Sequence, residues 1–126
     1  MKKVYYLSTC STCRRIIKEV EPDKDFIFQD IKNEPISEAQ LDDIVALAGS
    51  YQNIFNKQAR KYRELGLHAQ ELSEEKMRAL ILEEYTFLKR PVFIIDNQIF
   101  IGNSRKVINE LCAFMQVHKK HSVSAH

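Results

Sequence analysis

The chain has 126 residues, a formal net charge of +2, 44% hydrophobic residues and 29% charged residues. This balance is typical of a folded globular protein and excludes a disordered chain, while the small charge argues against direct nucleic-acid binding. No apolar run approaches the ~20 residues that cross a bilayer, and the N-terminus lacks a signal-peptide pattern. Three cysteines are an odd number, which argues against a secreted disulfide framework. We therefore expect a cytoplasmic, monomeric protein with one domain over residues 1–118 and no membrane contact.

The first part of the chain predicts a strand, a helix and a second strand. Lys3–Ser8 is apolar and rich in β-forming residues, which favours a strand buried on both faces. Ser11–Val20 carries apolar residues at helical spacing. Asp25–Ile31 predicts a strand with Phe26 and Phe28 on one side. Short links between these elements indicate a parallel βαβ unit.

The middle of the chain, residues 37–85, predicts a helical insert. Ser37 and Gln40 have the spacing of a capping box, and the helix that they begin should end near Gly49. Further helices are predicted over residues 57–65, closed by Gly66, and over residues 73–85. We found no repeat or low-complexity linker that would mark a second domain.

Sheet structure returns near the C-terminus. Val92–Ile95 and Ile99–Gly102 are apolar runs separated by a short polar turn, which predicts a β-hairpin. A last helix is predicted over Ser104–Val117, with Cys112 packing beside its apolar stripe. Residues 119–126 lack periodicity and are predicted to be a disordered tail. The element order is therefore βαβ, helical insert, ββα, in the α/β class.

Cys10 and Cys13 form a Cys-x-x-Cys motif between the first strand and the first helix. A cysteine at a helix N-terminus is favoured as a thiolate, and Arg14 adds positive charge nearby. Cys13 is close enough to resolve a mixed disulfide. Two alternatives stay open: half of a zinc site, which lacks a second ligand pair, and inert packing. The motif therefore favours redox or nucleophilic thiol chemistry.

Four separated blocks of sequence carry a family resemblance. They are the Cys-x-x-x-Arg start, residues 30–37, residues 62–67 and Lys89-Arg90-Pro91-Val92. In this order they resemble the arsenate reductase (ArsC) family, which is related to glutaredoxins, over roughly residues 3–116. The resemblance implies a thioredoxin-like fold with a four-stranded mixed sheet.

The resemblance also implies which residues form the site. Cys10 matches the catalytic cysteine, and Arg14 matches the arginine that follows it. Arg90 and Pro91 match an arginine and a cis-proline, so Arg90 would contribute to catalysis and bind substrate together with Arg14 and Pro91. Arginine suits both a thiolate and a tetrahedral oxyanion.

Two positions depart from the family pattern. Asn56 stands where the glutathione-dependent arsenate reductases have an arginine, and it is our candidate for a substrate-binding residue that lacks charge. Gly102 or Asn103 stands at another arginine position. The presence of Cys13, where those enzymes have serine, resembles the Spx-type branch of the family instead.

The leading hypothesis is a thiol-based oxidoreductase with Cys10 as nucleophile and Cys13 as resolving thiol. Its substrate would be a small oxyanion or disulfide, and glutathione, glutaredoxin, thioredoxin or another dithiol protein would act as reductant. We predict no bound cofactor and no metal. One alternative is an arsenate reductase coupled to glutathione and glutaredoxin. Another is an Spx-type redox-sensing regulator that binds the C-terminal domain of the RNA polymerase α subunit, with Gly49 near the contact.

Overall fold

A computed structural model describes the backbone of residues 1–124 and the side chains of residues 1–117. Its strands and helices follow the predicted order, with short 3₁₀ turns at Leu67–Ala69 and Tyr85–Phe87. The elements, in chain order, are β1 Lys2–Tyr6, α1 Ser11–Val20, β2 Ile27–Asp30, α2 Glu38–Ala48, α3 Arg60–Glu64, α4 Glu74–Glu83, β3 Val92–Ile95, β4 Gln98–Ile101 and α5 Arg105–Ser124.

The four strands form one mixed sheet in the order β2-β1-β3-β4. β1 is central, parallel to β2 and antiparallel to β3, so Val4 lies between Phe28 and Phe93. β3 and β4 form the predicted antiparallel hairpin. The mixed sheet and the βαβ start are therefore confirmed.

The sheet separates two hydrophobic clusters, because neighbouring residues of a strand point to opposite faces. Val4 belongs to the cluster formed with α1 and α5, whereas Tyr5 belongs to the cluster formed with α2 and α4. Both side chains are buried, at 0% and 3% exposure. The prediction that the first strand is buried on both faces is thus confirmed.

The second strand is shorter than predicted and lies at a sheet edge. Ile27 and Phe28 are 61% and 43% exposed, whereas Gln29 is buried at 2%. The Gln29 and Gln40 side-chain amides bond each other, at 3.1 and 2.8 Å. The buried position of this edge strand is therefore occupied by a hydrogen-bonded glutamine, whereas Phe28 is exposed.

The insert contains the predicted helices with different ends. The capping box of Ser37 and Gln40 is present, and α2 ends at Gly49, whose φ is 96°. The helix predicted over residues 57–65 covers only α3 and begins later than predicted. A turn precedes it, in which Asn56 Oδ1 accepts the Gln58 N–H. The helix predicted over residues 73–85 ends at Glu83, because Glu84 is extended.

The last helix, α5, continues past the predicted end at Val117 to Ser124. Disorder was predicted for residues 119–126. The side chains of this segment, and residues 125–126 entirely, lie outside those described, so the disorder stays a prediction. Within the described part of the chain, no helix has both the length and the apolar character needed to span a membrane.

Candidate active site

Cys10 lies in the loop between β1 and α1, immediately before the helix. It is the N-cap residue of α1, with extended φ and ψ of −92° and 114°. Its backbone N–H donates to the Leu7 carbonyl at 3.1 Å, and its carbonyl accepts the Arg14 N–H at 3.2 Å. The thiol is half-buried. The predicted position at the helix N-terminus is therefore observed.

The environment of Cys10 favours its thiolate. Burial by itself raises the pKa of this thiol, but the amide and thiol of Cys13, the amide of Thr12 and the charge of Arg90 act in the opposite direction. The net pKa lies below that of an ordinary cysteine. The groups that lower the pKa are therefore the amides and the thiol at the start of α1, together with the Arg90 charge.

Cys13 has the opposite environment. It is fully buried, and it belongs to the cluster that α2 and α4 form on the sheet. Burial, together with the charge of Cys10 and a hydrogen bond to it, raises the pKa of Cys13 to about 11, against the smaller lowering effects of the Leu7 backbone and Arg90. Cys13 is therefore a thiol, next to a neighbour that ionises readily.

Cys10 opens into a cavity of about 600 Å³. Four segments line it: the start of α1, the segment between α2 and α3, the segment before β3, and the link between β4 and α5. No aspartate or glutamate lies among the described residues that line it. Its amide-bearing and cationic side chains include Gln52, Asn56, Lys57, Gln58, Lys89 and Arg90.

Arg90 is held at the cavity by backbone carbonyls. One terminal nitrogen of its guanidinium donates to the carbonyls of Thr86 and Leu88, at 3.4 and 3.2 Å. Its Nε is buried and has no hydrogen-bond partner among the described residues. The Arg90 charge acts to lower the pKa of both Cys10 and Cys13, so the guanidinium lies near the thiol pair. Arg90 is thus suited to bind an anion.

The peptide bond between Arg90 and Pro91 is cis, as the resemblance implied. The Pro91 carbonyl accepts the Gly102 N–H at 2.9 Å. This bond joins the segment before β3 to the link before α5, and Arg90, Gly102 and Asn103 all line the cavity.

The structure does not bring Arg14 to the cavity. This side chain is exposed on α1 and is not among the described residues that line the cavity. The predicted role of Arg14 in catalysis and substrate binding stays a prediction.

Asn56 lines the cavity as predicted, but its side chain already has partners. Its Nδ2 donates to the Thr86 carbonyl at 3.1 Å, and its Oδ1 accepts the Gln58 N–H at 3.0 Å. Its backbone N–H donates to the Phe87 carbonyl at 2.7 Å. Asn56 therefore shapes the cavity wall, and these bonds use one of its two side-chain amide hydrogens and one of the two lone pairs of Oδ1.

Sequence reasoning missed the anchor of the loop that carries Cys10. Both the amide and the hydroxyl of Ser8 donate to the Asp30 carboxylate, which also accepts the Asn33 side-chain amide at 2.9 Å. The sequence did carry a signal for this contact. Ser8 follows β1 and Asp30 ends β2, and the carboxyl ends of parallel strands meet at one edge of a sheet. Lys57 and Lys89 were also missed, and their spacing in sequence carries no signal.

Cys112 lies apart from this site. It is half-buried on α5 and packs against the cluster that contains Val4. Burial, followed by the Glu19 charge and against the effect of Arg105, raises the pKa of its thiol. Among the residues that the structure describes, no group of three or more His, Cys, Asp or Glu side chains could hold a metal ion.

Comparisons with known proteins extend this description. A sequence model described as the ArsC family matches residues 5–111. The chain belongs to the ArsC family. No curated protein sequence matches it significantly.

Solved structures of ArsC-related proteins share the fold. A possible arsenate reductase from Streptococcus mutans is 26% identical, with a TM-score of 0.67 over 88% of this chain and 97% of the other. The arsenate reductase from Vibrio cholerae is 20% identical, with a TM-score of 0.67 over 87% and 96%. An arsenate reductase related protein from Brucella melitensis is 20% identical, with a TM-score of 0.65 over 83% and 88%. The expected thioredoxin-like fold of the family is confirmed.

Proposed function

We propose that this ArsC-family chain is a thiol-based oxidoreductase in which Cys10 attacks substrate and Cys13 resolves the product. The observation that carries the proposal is the contrast between two thiols one helical turn apart. Cys10 opens on the cavity with a lowered pKa, whereas Cys13 is fully buried behind it with a pKa of about 11. In active sites, two neighbouring groups with widely different pKa values commonly have different roles, one as the acid and the other as the nucleophile.

The chemistry has two exchange steps. The Cys10 thiolate attacks one sulfur of a disulfide R–S–S–R′, so a Cys10–S–S–R bond forms and R′–S⁻ leaves. The negative charge on Cys10, which raises the pKa of Cys13, is then gone. Cys13 loses its proton to solvent or to the departing thiolate and attacks Cys10 Sγ, which releases R–S⁻ and forms the Cys10–Cys13 disulfide. Glutathione or a dithiol protein would return both thiols by the reverse exchange.

Intact-mass measurement tests this sequence of events. Native protein treated with a small disulfide is expected to lose the mass of two hydrogen atoms, because the Cys10–Cys13 disulfide forms. The pair is expected to retain no R–S adduct. Cys13→Ser is expected to retain one R–S adduct, and Cys10→Ser is expected to retain none on the pair. Cys112→Ser is the matched control, because it removes a half-buried cysteine outside the cavity, and it should behave as the native chain. A Cys13→Ser variant that accumulates no adduct would contradict the resolving role.

A second candidate, arsenate reduction with glutathione and glutaredoxin, is favoured by Arg90, whose positive charge lies at the cavity near Cys10. The test is arsenate-dependent oxidation of NADPH, coupled through glutaredoxin and glutathione reductase. Turnover in the native chain that is lost in both Cys10→Ser and Arg90→Gln would support this activity. Absence of turnover would mean that residues Asn56 and Gly102, at family arginine positions, cannot support it.

The Spx-type hypothesis, binding to the RNA polymerase α C-terminal domain, depends on the resemblance at Cys13 and Gly49. Gly49 has a φ of 96° and caps α2, so any substitution there strains the backbone. A pull-down with the purified α C-terminal domain should therefore compare the reduced and oxidised native chain rather than a Gly49 variant. Equal retention or no retention in the two redox states would refute redox-controlled binding.

A further inference from the structure

Two lysines of the cavity have no counter-charge. Neither Lys57 nor Lys89 forms a side-chain ion pair or hydrogen bond with any residue that the structure describes, and no carboxylate is found among the described lining residues. Other described lysines do meet carboxylates: Lys61 lies 3.1 Å from Glu84, and Lys2 lies 3.2 Å from Asp23. Arg90 also lines the cavity and adds a third positive charge. The cavity is therefore a concentrated positive region in a chain of nearly balanced charge.

The backbone holds the two lysines on one wall. Lys89 N–H donates to the Ile54 carbonyl at 2.8 Å, and Asn56 N–H donates to the Phe87 carbonyl at 2.7 Å. Phe55 and Leu88 form an antiparallel bridge between these bonds. Lys57 and Lys89 thus lie on two segments that the backbone joins, and both residues line the cavity.

The size of the cavity indicates what these charges bind. About 600 Å³ falls in the range of roughly 300–1,000 Å³ that is typical of sites for organic molecules. A tetrahedral oxyanion consists of one central atom and its oxygens. Such an ion would occupy only a small part of the cavity, beside Cys10. The wall also has apolar surface from Ile101 and Val107, which an inorganic ion would leave uncovered.

We propose that Lys57 and Lys89 are specificity-determining residues that select an organic disulfide bearing carboxylate groups as the substrate of Cys10. The inference rests on the proposed thiol exchange and names its substrate class. The carboxylates bind the two ammonium groups while the disulfide reaches Cys10. The Cys10 thiolate forms a bond to one sulfur, and the other half leaves as a thiolate, so charge and electrons balance.

Two disulfide probes that differ in charge test the inference. The first is 5,5′-dithiobis(2-nitrobenzoate), a dianion, and the second is 4,4′-dithiodipyridine, which is neutral at pH 7.5. The rate of thiolate release is followed by absorbance in a Cys112→Ser background, so that the reaction reports the Cys10–Cys13 pair. The variant is Lys57→Gln with Lys89→Gln. The control, Lys18→Gln with Lys76→Gln, removes the same charge from exposed helical positions outside the cavity.

The cavity variant is expected to react about tenfold more slowly with the dianion, in the range of electrostatic steering and focusing, and less than about twofold more slowly with the neutral probe. The control variant should change neither rate by more than about twofold. Salt at about 0.5 M should remove most of the difference. An equal fall with both probes would indicate a structural role and overturn the inference, as would an unchanged rate with the dianion. If Cys10 in the native chain reacts with neither probe, the proposed function itself fails, and the inference fails with it.

Discussion

Replacing Asp30 by alanine tests whether the end of β2 holds the loop that carries Cys10. The carboxylate accepts four hydrogen bonds: from the Ser8 amide at 3.4 Å, the Ser8 hydroxyl, the Lys32 amide at 3.3 Å and the Asn33 side chain at 2.9 Å. Two of these are long and contribute little. The other two are short bonds at a partly exposed site, and at about 1 kcal/mol each their loss should lower the free energy of unfolding by about 2 kcal/mol.

The assay for Asp30→Ala is urea denaturation at pH 7, followed by far-UV circular dichroism. A loss of about 2 kcal/mol corresponds to a melting temperature about 8 °C lower in a domain of this size. Asp25→Ala is the matched control, because the Asp25 side chain is 69% exposed and meets Lys2 only at 4.0 Å. That variant should lose no more than about 0.5 kcal/mol.

The same comparison depends on pH in a defined direction. Hydrogen bonds from Ser8, and then from the Lys32 amide and Asn33, hold the pKa of Asp30 below its ordinary value despite partial desolvation. A carboxylate with a lowered pKa in the folded state stabilises the protein above its unfolded pKa of about 3.9. The stability difference between native protein and Asp30→Ala should therefore be complete at pH 7 and diminish as the pH falls below about 4 through the folded pKa. A loss under 0.5 kcal/mol at pH 7, or an equal loss in Asp25→Ala, would refute the reasoning.

Two further predictions follow from the buried neighbours of the cavity. Cys13→Ala removes the thiol that lowers the pKa of Cys10, so the rate of Cys10 alkylation by iodoacetamide should have its midpoint at higher pH than in native protein; an unchanged or lower midpoint would contradict the role assigned to the Cys13 thiol. Phe55→Ala removes a 1% exposed ring that stacks on Phe87 with centroids 5.2 Å apart, and urea denaturation should show a loss of about 3–5 kcal/mol; a loss below 1 kcal/mol would mean that this ring is not part of the cooperative core.

Local pattern was sufficient for most of the elements, and it failed where a tertiary contact determined the outcome. The capping box, Ser11–Val20 and the late hairpin depend on residues near one another in sequence, so their prediction was accurate. The exposure of Phe28 in β2 could not be predicted, because an alternating apolar pattern carries no information about whether the strand lies at a sheet edge. The buried position belongs to Gln29, which becomes compatible with the interior only through its bonds to Gln40.

The residues of the candidate site also include some that local sequence was sufficient to place and one that it was not. Cys10 and Cys13 were recognisable because the field of a helix N-terminus acts on residues adjacent in the chain. Arg14, also adjacent, was assigned to the site by family resemblance, and its exposed position on α1 was not evident from spacing alone.

By itself, the sequence determined the thiol pair, its place before a helix, and the order of strands and helices, since each depends on short-range hydrogen bonding and apolar spacing. The tertiary structure alone decided that Cys13 is fully buried, that Asp30 anchors Ser8, and that Lys57 and Lys89 share one wall of the cavity. These features depend on residues brought together across the sheet or between distant segments. Such proximity arises only when the chain packs around a common core, and sequence spacing does not encode it.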